Sequence, residues 1–347
     1  PHSRRKLLAN SLQQMGGFVY STNRVRYRDD RDSYFGQSVS CSSDCKRVAV
    51  GESFGGLYTD MGHVSVYEYS AEGWSLLGGV IVNPSNLNIG QKADFGYSVS
   101  LSDDGSRVAV GRPGFSLGVY ETGRAFVYHY SSGAWSQLGD DILGESQSDR
   151  CGWSVSLSGD GTTVAVGSPY PTGSGGGIGI SVQGRVRVFR YSSGTNTWTQ
   201  LGANMDNPSA YGGSYGDQFG FSVSLSNDGT TVAIGEPYHD VSTNDGRVHV
   251  FAYSTSWTIV GSALVGYSGS SNFGWSVSMN ADGTRVAVGA PLKSGSGSVT
   301  VHDYNAVLSR WDILGSSIDG SDASQGVGTS VALSNDGTKL IIGAPSS

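Results

Sequence analysis

Few residues in this sequence have the type and spacing needed for covalent or metal chemistry. Gly212-Gly213-Ser214-Tyr215-Gly216 matches the Gly-x-Ser-x-Gly form of a nucleophile elbow. That form works only where a strand-to-helix turn exposes the serine beside an oxyanion hole. Here it lies in a long stretch of Gly and Ser and reads as a chance match. The six histidines, His2, His63, His129, His239, His249 and His302, follow no His-Glu-x-x-His spacing, and the cysteines form no Cys-x-x-Cys pair. Neither zinc-holding pattern is therefore present. No catalytic residue and no metal ligand are expected, and the chain reads as a non-enzyme.

Binding chemistry is better supplied. The segments Ser168 to Gln183, "SPYPTGSGGGIGISVQ", and Ala203 to Gln218, "ANMDNPSAYGGSYGDQ", carry Tyr170, Tyr211 and Tyr215 with Asp206 and Asp217. Flat rings beside hydrogen-bonding groups suit a sugar or a protein surface. His239, Asp240 and Asp245 form a second polar group that could touch a ligand.

The elements that must position these residues come from a repeat. Its starts are Phe35-Gly36, Phe95-Gly96, Cys151-Gly152, Phe219-Gly220, Phe273-Gly274 and Val327-Gly328, and a second glycine follows each first one 15 positions on, at Gly51, Gly111, Gly167, Gly235, Gly289 and Gly343. In "FGFSVSLSNDGTTVAIGEP" (219–237), Val223 and Leu225 alternate with Ser222, Ser224 and Ser226, the period of a strand. Asp-Gly between two such runs is a strong hairpin signal. Each hairpin thus has a bulky face and a small face.

A third strand follows in five copies, as in "GRVHVFAYS" from Gly246, and a fourth carries Trp and then Gly, as in "WTIVG" from Trp257. Four short strands per 54 to 68 residues are the signature of β-propeller blades. The fold class expected is all-β: a single propeller of four-stranded antiparallel blades, six or seven in number, occupying residues 1–347 as one domain. Residues 8–16, with "LQQMG" (12–16), read as an outer strand that closes the ring from the N-terminus. Tyr97, Trp153, Phe221 and Trp275, at the third motif position, read as packing between blades. Sequence variation is confined to the connections after the second and fourth strands, so one rim is expected to carry function.

Cys41 and Cys45 flank the first hairpin turn, where the other copies have Leu or Met and then Gly. Losing that glycine forfeits tolerance of positive φ. A disulfide across the turn would compensate if the two Cα atoms lie within about 7 Å; free thiols are the alternative. Cys151, in place of Phe, reads as a small buried thiol.

Composition sets the outer limits. The net charge is −7 with 15% charged residues, so the electrostatic footprint of a nucleic-acid binder is missing. The arginines near the start are followed at once by Asp29, Asp30 and Asp32. No run of about 18 apolar residues exists to span a membrane, no signal-peptide core is visible, and Asn83 and Asn207 are each followed by Pro, which removes N-glycan acceptors.

The Phe-Gly openings and the closing Gly289-Ala290-Pro291 and Gly343-Ala344-Pro345, with variants at Gly167 and Gly235, resemble FG-GAP repeats, as in the integrin α-subunit head. The likeness is nearer to secreted or surface repeat proteins of microbes and algae. It covers nearly the whole chain and implies an extracellular or cell-surface propeller for adhesion, for binding protein or polysaccharide, or for building an external assembly. The resemblance would also bring calcium to the first hairpin loop. Here that loop has shrunk to forms such as "SNDGT", too short for the six to eight oxygens Ca²⁺ prefers. Asp104, Asp160, Asp228, Asp282 and Asp336 therefore read as turn formers, and no cofactor is expected. A carbohydrate-active lyase or hydrolase on the same scaffold is the alternative, predicting carboxylates on the central channel. An intracellular WD-like scaffold is third, although the Trp-Asp blade ending of that family is missing.

Overall fold

The computed structural model describes residues 35–53, 62–84, 94–114, 122–146, 149–170, 184–208, 216–239, 244–266 and 269–345. They form five antiparallel sheets of one plan and a final hairpin, Ser330–Leu333 with Leu340–Gly343. Blade 4 shows the plan. Its strands Ser222–Leu225, Thr231–Glu236, Arg247–Tyr253 and Trp257–Ile259 pair in sequence order, and the two-residue strand Leu264–Val265 continues the outer edge against Arg247 and Val248. The outer strand is thus broken in two, with Gly261 at the break in a left-handed conformation (φ +72°). The fold is a β-propeller. The expected closing strand at residues 8–16 lies outside the described residues.

The repeated residues explain how blades join. Val223, Leu225, Val232 and Ile234 of blade 4 pack with Phe219 against Ala165, Val186 and Val188 of blade 3. The bulky face of each blade therefore lies on the small face of the one before, excluding water from both. Serines do the reciprocal work. Ser222 Oγ donates to the Gly274 carbonyl of blade 5 at 2.8 Å, and Ser224 Oγ accepts from the Met279 amide at 3.0 Å. Equivalent pairs recur at Ser38, Ser98, Ser154 and Ser276. The "SVSLS" pattern is therefore buried on its apolar side and half-buried on its serine side, where hydrogen bonds to the next blade satisfy the hydroxyls.

The invariant turns are locked from within. Asp228 Oδ1 accepts from Ser226 Oγ at 2.6 Å and from the Thr230 amide at 2.9 Å, and Asp104, Asp160 and Asp336 are held in the same way, while Asp282, with Asn280 in place of the serine, accepts from the Thr284 amide and hydroxyl. Turns are then linked to one another. The Ser43 amide donates to Asp103, Asp103 to Gly159, Gly159 to Asn227, Asn227 to Ala281 and Ala281 to Asn335. Asn335 Nδ2 reaches back to Asp103 Oδ1 at 3.3 Å, so the run of blades curls around an axis.

In blade 1, Cys45 takes the glycine's left-handed conformation (φ +53°). The Cys41 and Cys45 sulfurs lie side by side, 2.7 Å apart, as thiols. Cys151 is fully buried, and burial pushes its thiol pKa up.

Candidate functional site

The innermost strands begin at the rim where the variable connections emerge, and just before each of four of them stands an aromatic ring. Tyr97 and Trp153 have centroids 4.7 Å apart, Trp153 and Phe221 5.5 Å, and Phe221 and Trp275 4.7 Å. The four rings make one continuous arc through blades 2 to 5. They do pack between blades, as the sequence suggests, but each also keeps part of its surface exposed. A second row stands behind them. Tyr170 lies edge-on to Trp153 at 5.5 Å, and Tyr238 lies 6.2 Å from Phe221 and 6.3 Å from Trp275. Both tyrosines follow the proline that ends the second strand, in blades 3 and 4, so one repeat position supplies both.

Polar groups border the arc. The Arg150 guanidinium sits 4.2 Å above the Tyr170 ring and 5.6 Å from that of Trp153, within cation–π range. The Tyr170 hydroxyl donates to Gln218 Oε1 at 3.1 Å. Burial raises the phenol pKa of Tyr97, Tyr170 and Tyr238, which keeps these hydroxyls protonated as neutral donors. Such an arc offers apolar ring faces with donors at their edges, the chemistry that recognises a ligand with both C–H and O–H surfaces.

The other sequence candidates separate from one another. Asp206 is exposed and ion-paired to Arg185 at 2.6 Å on the outer edge of blade 3. Asp245 is a loop brace. Its Oδ1 accepts from the Gly269 amide at 2.9 Å and its carbonyl from Ser271 Oγ at 2.7 Å. Tyr211, Tyr215 and Asp240 lie outside the described residues.

Asp217 and His239 differ most from expectation. Neither stands open on the rim: Asp217 is 1% and His239 5% exposed. Both turn inward toward Glu236, 0% exposed, which takes the place of Ala in the Gly-Ala-Pro element. His239 Nδ1 lies 3.0 Å from Glu236 Oε1 and 3.5 Å from Asp217 Oδ2. Asn207 Nδ2 donates to both carboxylates, at 3.0 and 2.8 Å. Burial and the neighbouring Glu236 charge push the Asp217 carboxyl up to about 6. Burial would raise Glu236 too, but the hydrogen bond from His239 prevails, with His249 3.2 Å away adding to it, and holds it at about 2. The Glu236 hydrogen bond raises His239 against the effect of its burial.

Residues 209–251 match the family model described as FG-GAP repeat. No curated protein matches the sequence. Among solved structures, a candidate 6-phosphogluconolactonase from Bacteroides uniformis ATCC 8492 aligns over 88% of this chain and 77% of its own, at 12% identity and TM-score 0.55. A second, from Bacteroides fragilis NCTC 9343, aligns over 88% and 76%, at 13% identity and TM-score 0.52. Hydrazine synthase of Kuenenia stuttgartiensis aligns over 94% and 98%, at 12% identity and TM-score 0.48. Likeness at this level of identity concerns the fold alone.

Proposed function

Because the chain is a β-propeller built of FG-GAP repeats, we propose that it is a binding module whose variable rim takes a polysaccharide, in an extracellular or cell-surface setting. The observation that carries this reading is the arc Tyr97–Trp153–Phe221–Trp275 with Tyr170 and Tyr238 behind it. Rings of this kind stack on the C–H faces of sugar units, while Arg150 and the tyrosine hydroxyls bond their hydroxyl groups. The rings are already held by one another and by rigid strands, so little conformational entropy is lost when a ligand arrives. No catalysis is invoked. The inner strands carry Ser, Val, Ala, Leu and Met, with Phe35, Gly36, Gln37 and Cys41 added in blade 1, and, among the described residues, no carboxylate.

The test is binding of the purified chain to arrayed cell-wall and matrix polysaccharides, beside Trp153→Ala and Trp275→Ala variants checked for folding by circular dichroism. Retention of a polysaccharide by the parent chain, weakened at least tenfold in both variants, supports the reading. Silence across the array, or equal binding by folded variants, overturns it and turns attention to protein neighbours in an external assembly.

A further inference from the structure

The buried cluster at the seam of blades 3 and 4 has a geometry that its neighbours lack. We propose that Asp217, Glu236 and His239 form a binding site for one divalent transition-metal ion, zinc foremost, that pins the two blades together.

Three donor atoms of different origin converge there. Asp217 stands two residues before the Phe219-Gly220 opening, Glu236 ends the second strand of blade 4, and His239 lies in the turn after Pro237. One ligand atom from each lies within 4.8 Å of the others. The His239 Nδ1 distances of 3.0 and 3.5 Å to the two carboxylates bracket the edge of a tetrahedral site. With bonds of about 2.0 Å, its ligand atoms stand roughly 3.3 Å apart. One imidazole nitrogen with two carboxylates favours zinc or a similar ion over calcium, which prefers an all-oxygen set.

A second observation points the same way. Asp217 Oδ1 is buried and has no hydrogen-bond partner among the described residues, although its sister oxygen faces His239. His249, 4% exposed, aims Nε2 at Glu236 Oε2 from 3.2 Å, yet neither ring nitrogen makes an aligned hydrogen bond. Unsatisfied buried polar atoms are costly. A dication would use the lone pairs on the carboxylates, and His249 would remain as an outer partner orienting Glu236. Asn207 now donates to both carboxylates; turning its amide would present an oxygen as a fourth ligand. Arg247, directly opposite Glu236 on the neighbouring strand, brings a positive charge that offsets part of the negative charge.

The equivalent positions show why the site would occur once. Where blade 4 has Glu236, blades 2, 3 and 5 have Arg112, Ser168 and Ala290. Blade 1 has Glu52 with His63 3.2 Å away, but in the sequence Ser33, two residues before Phe35, takes the place of Asp217.

The test uses the intact chain, stripped with a chelator and dialysed, then titrated calorimetrically with zinc chloride and, separately, with calcium chloride. His239→Gln keeps side-chain size and polarity, and circular dichroism reports whether it folds. Cobalt(II) adds a ligand-field spectrum that reports coordination directly. The expected result is one zinc per chain, no comparable uptake of calcium, a tetrahedral cobalt spectrum, and binding at least tenfold weaker in folded His239→Gln. No stoichiometric zinc on the folded parent chain, preference for calcium, or undiminished binding in the variant would overturn the proposal.

Discussion

Trp198 donates its indole N–H to the Leu138 carbonyl, one blade back, at 2.7 Å. The same bond joins Trp135 to Leu77, Trp257 to Leu201 and Trp311 to Val260. It explains why Trp and the following Gly recur together. The glycine one residue after each accepting carbonyl leaves the space into which the next blade's indole edge fits, as Gly139 does for Trp198.

Trp198→Phe keeps most of the ring and deletes only the donor. A neutral hydrogen bond contributes about 1 kcal/mol net, so urea unfolding should show a loss of about 1–2 kcal/mol once the stranded Leu138 carbonyl is included. An unchanged midpoint would mean that the indole contributes by packing alone.

Gly235 and Gly194 should respond oppositely to alanine. A Cβ at Gly235 would press into the Gly274 carbonyl and Ser222 Oγ, the point where blade 4 clamps blade 5, whereas at Gly194 it meets open space. Gly235→Ala is expected to cost about 3 kcal/mol through overpacking. Gly194→Ala should be neutral or stabilise by up to about 1 kcal/mol through the unfolded chain. Thermal melts of the two variants make the comparison.

Cys41 and Cys45 are placed to form a disulfide under oxidising conditions. Closing so short a loop is worth about 2 kcal/mol in the chain-entropy account. Peptide mapping of air-oxidised protein should recover the Cys41–Cys45 linkage. Reduction should lower the melting temperature of the parent chain but not of Cys41→Ser/Cys45→Gly.

His302 ties stability to pH. Its imidazole is buried against Phe273 and near Thr300 Oγ1, and burial, opposed weakly by Asp303, lowers its pKa to about 4. The unfolded chain, with an ordinary pKa near 6.5, binds the proton more readily over that interval. Stability therefore falls as pH drops from about 6.5 toward 4, by up to about 3 kcal/mol for this group. Denaturant midpoints measured across that window should fall more steeply for the parent than for His302→Phe; equal slopes would show that His302 is not responsible.

Much of this molecule was legible from its sequence because the determining signals are local. Alternation of Val and Ser, Asp-Gly turns and the fixed 15-residue spacing specify a hairpin within a few residues, and its repetition specifies a propeller. The turn role of Asp228 also follows from neighbours only two residues away. What lies between repeats was not legible. Tyr97, Trp153, Phe221 and Trp275 are 54 to 68 residues apart in sequence, and only the curl of the blades around the axis makes them one surface. Asp217 and His239 look like rim residues in any linear reading. They are buried because Glu236 replaces a small residue at the end of a strand and draws a histidine and a second carboxylate into the seam. Local pattern fixes which backbone forms, through sterics and hydrogen bonding along a few residues. Which side chains share a low-dielectric interior is decided by how distant segments meet.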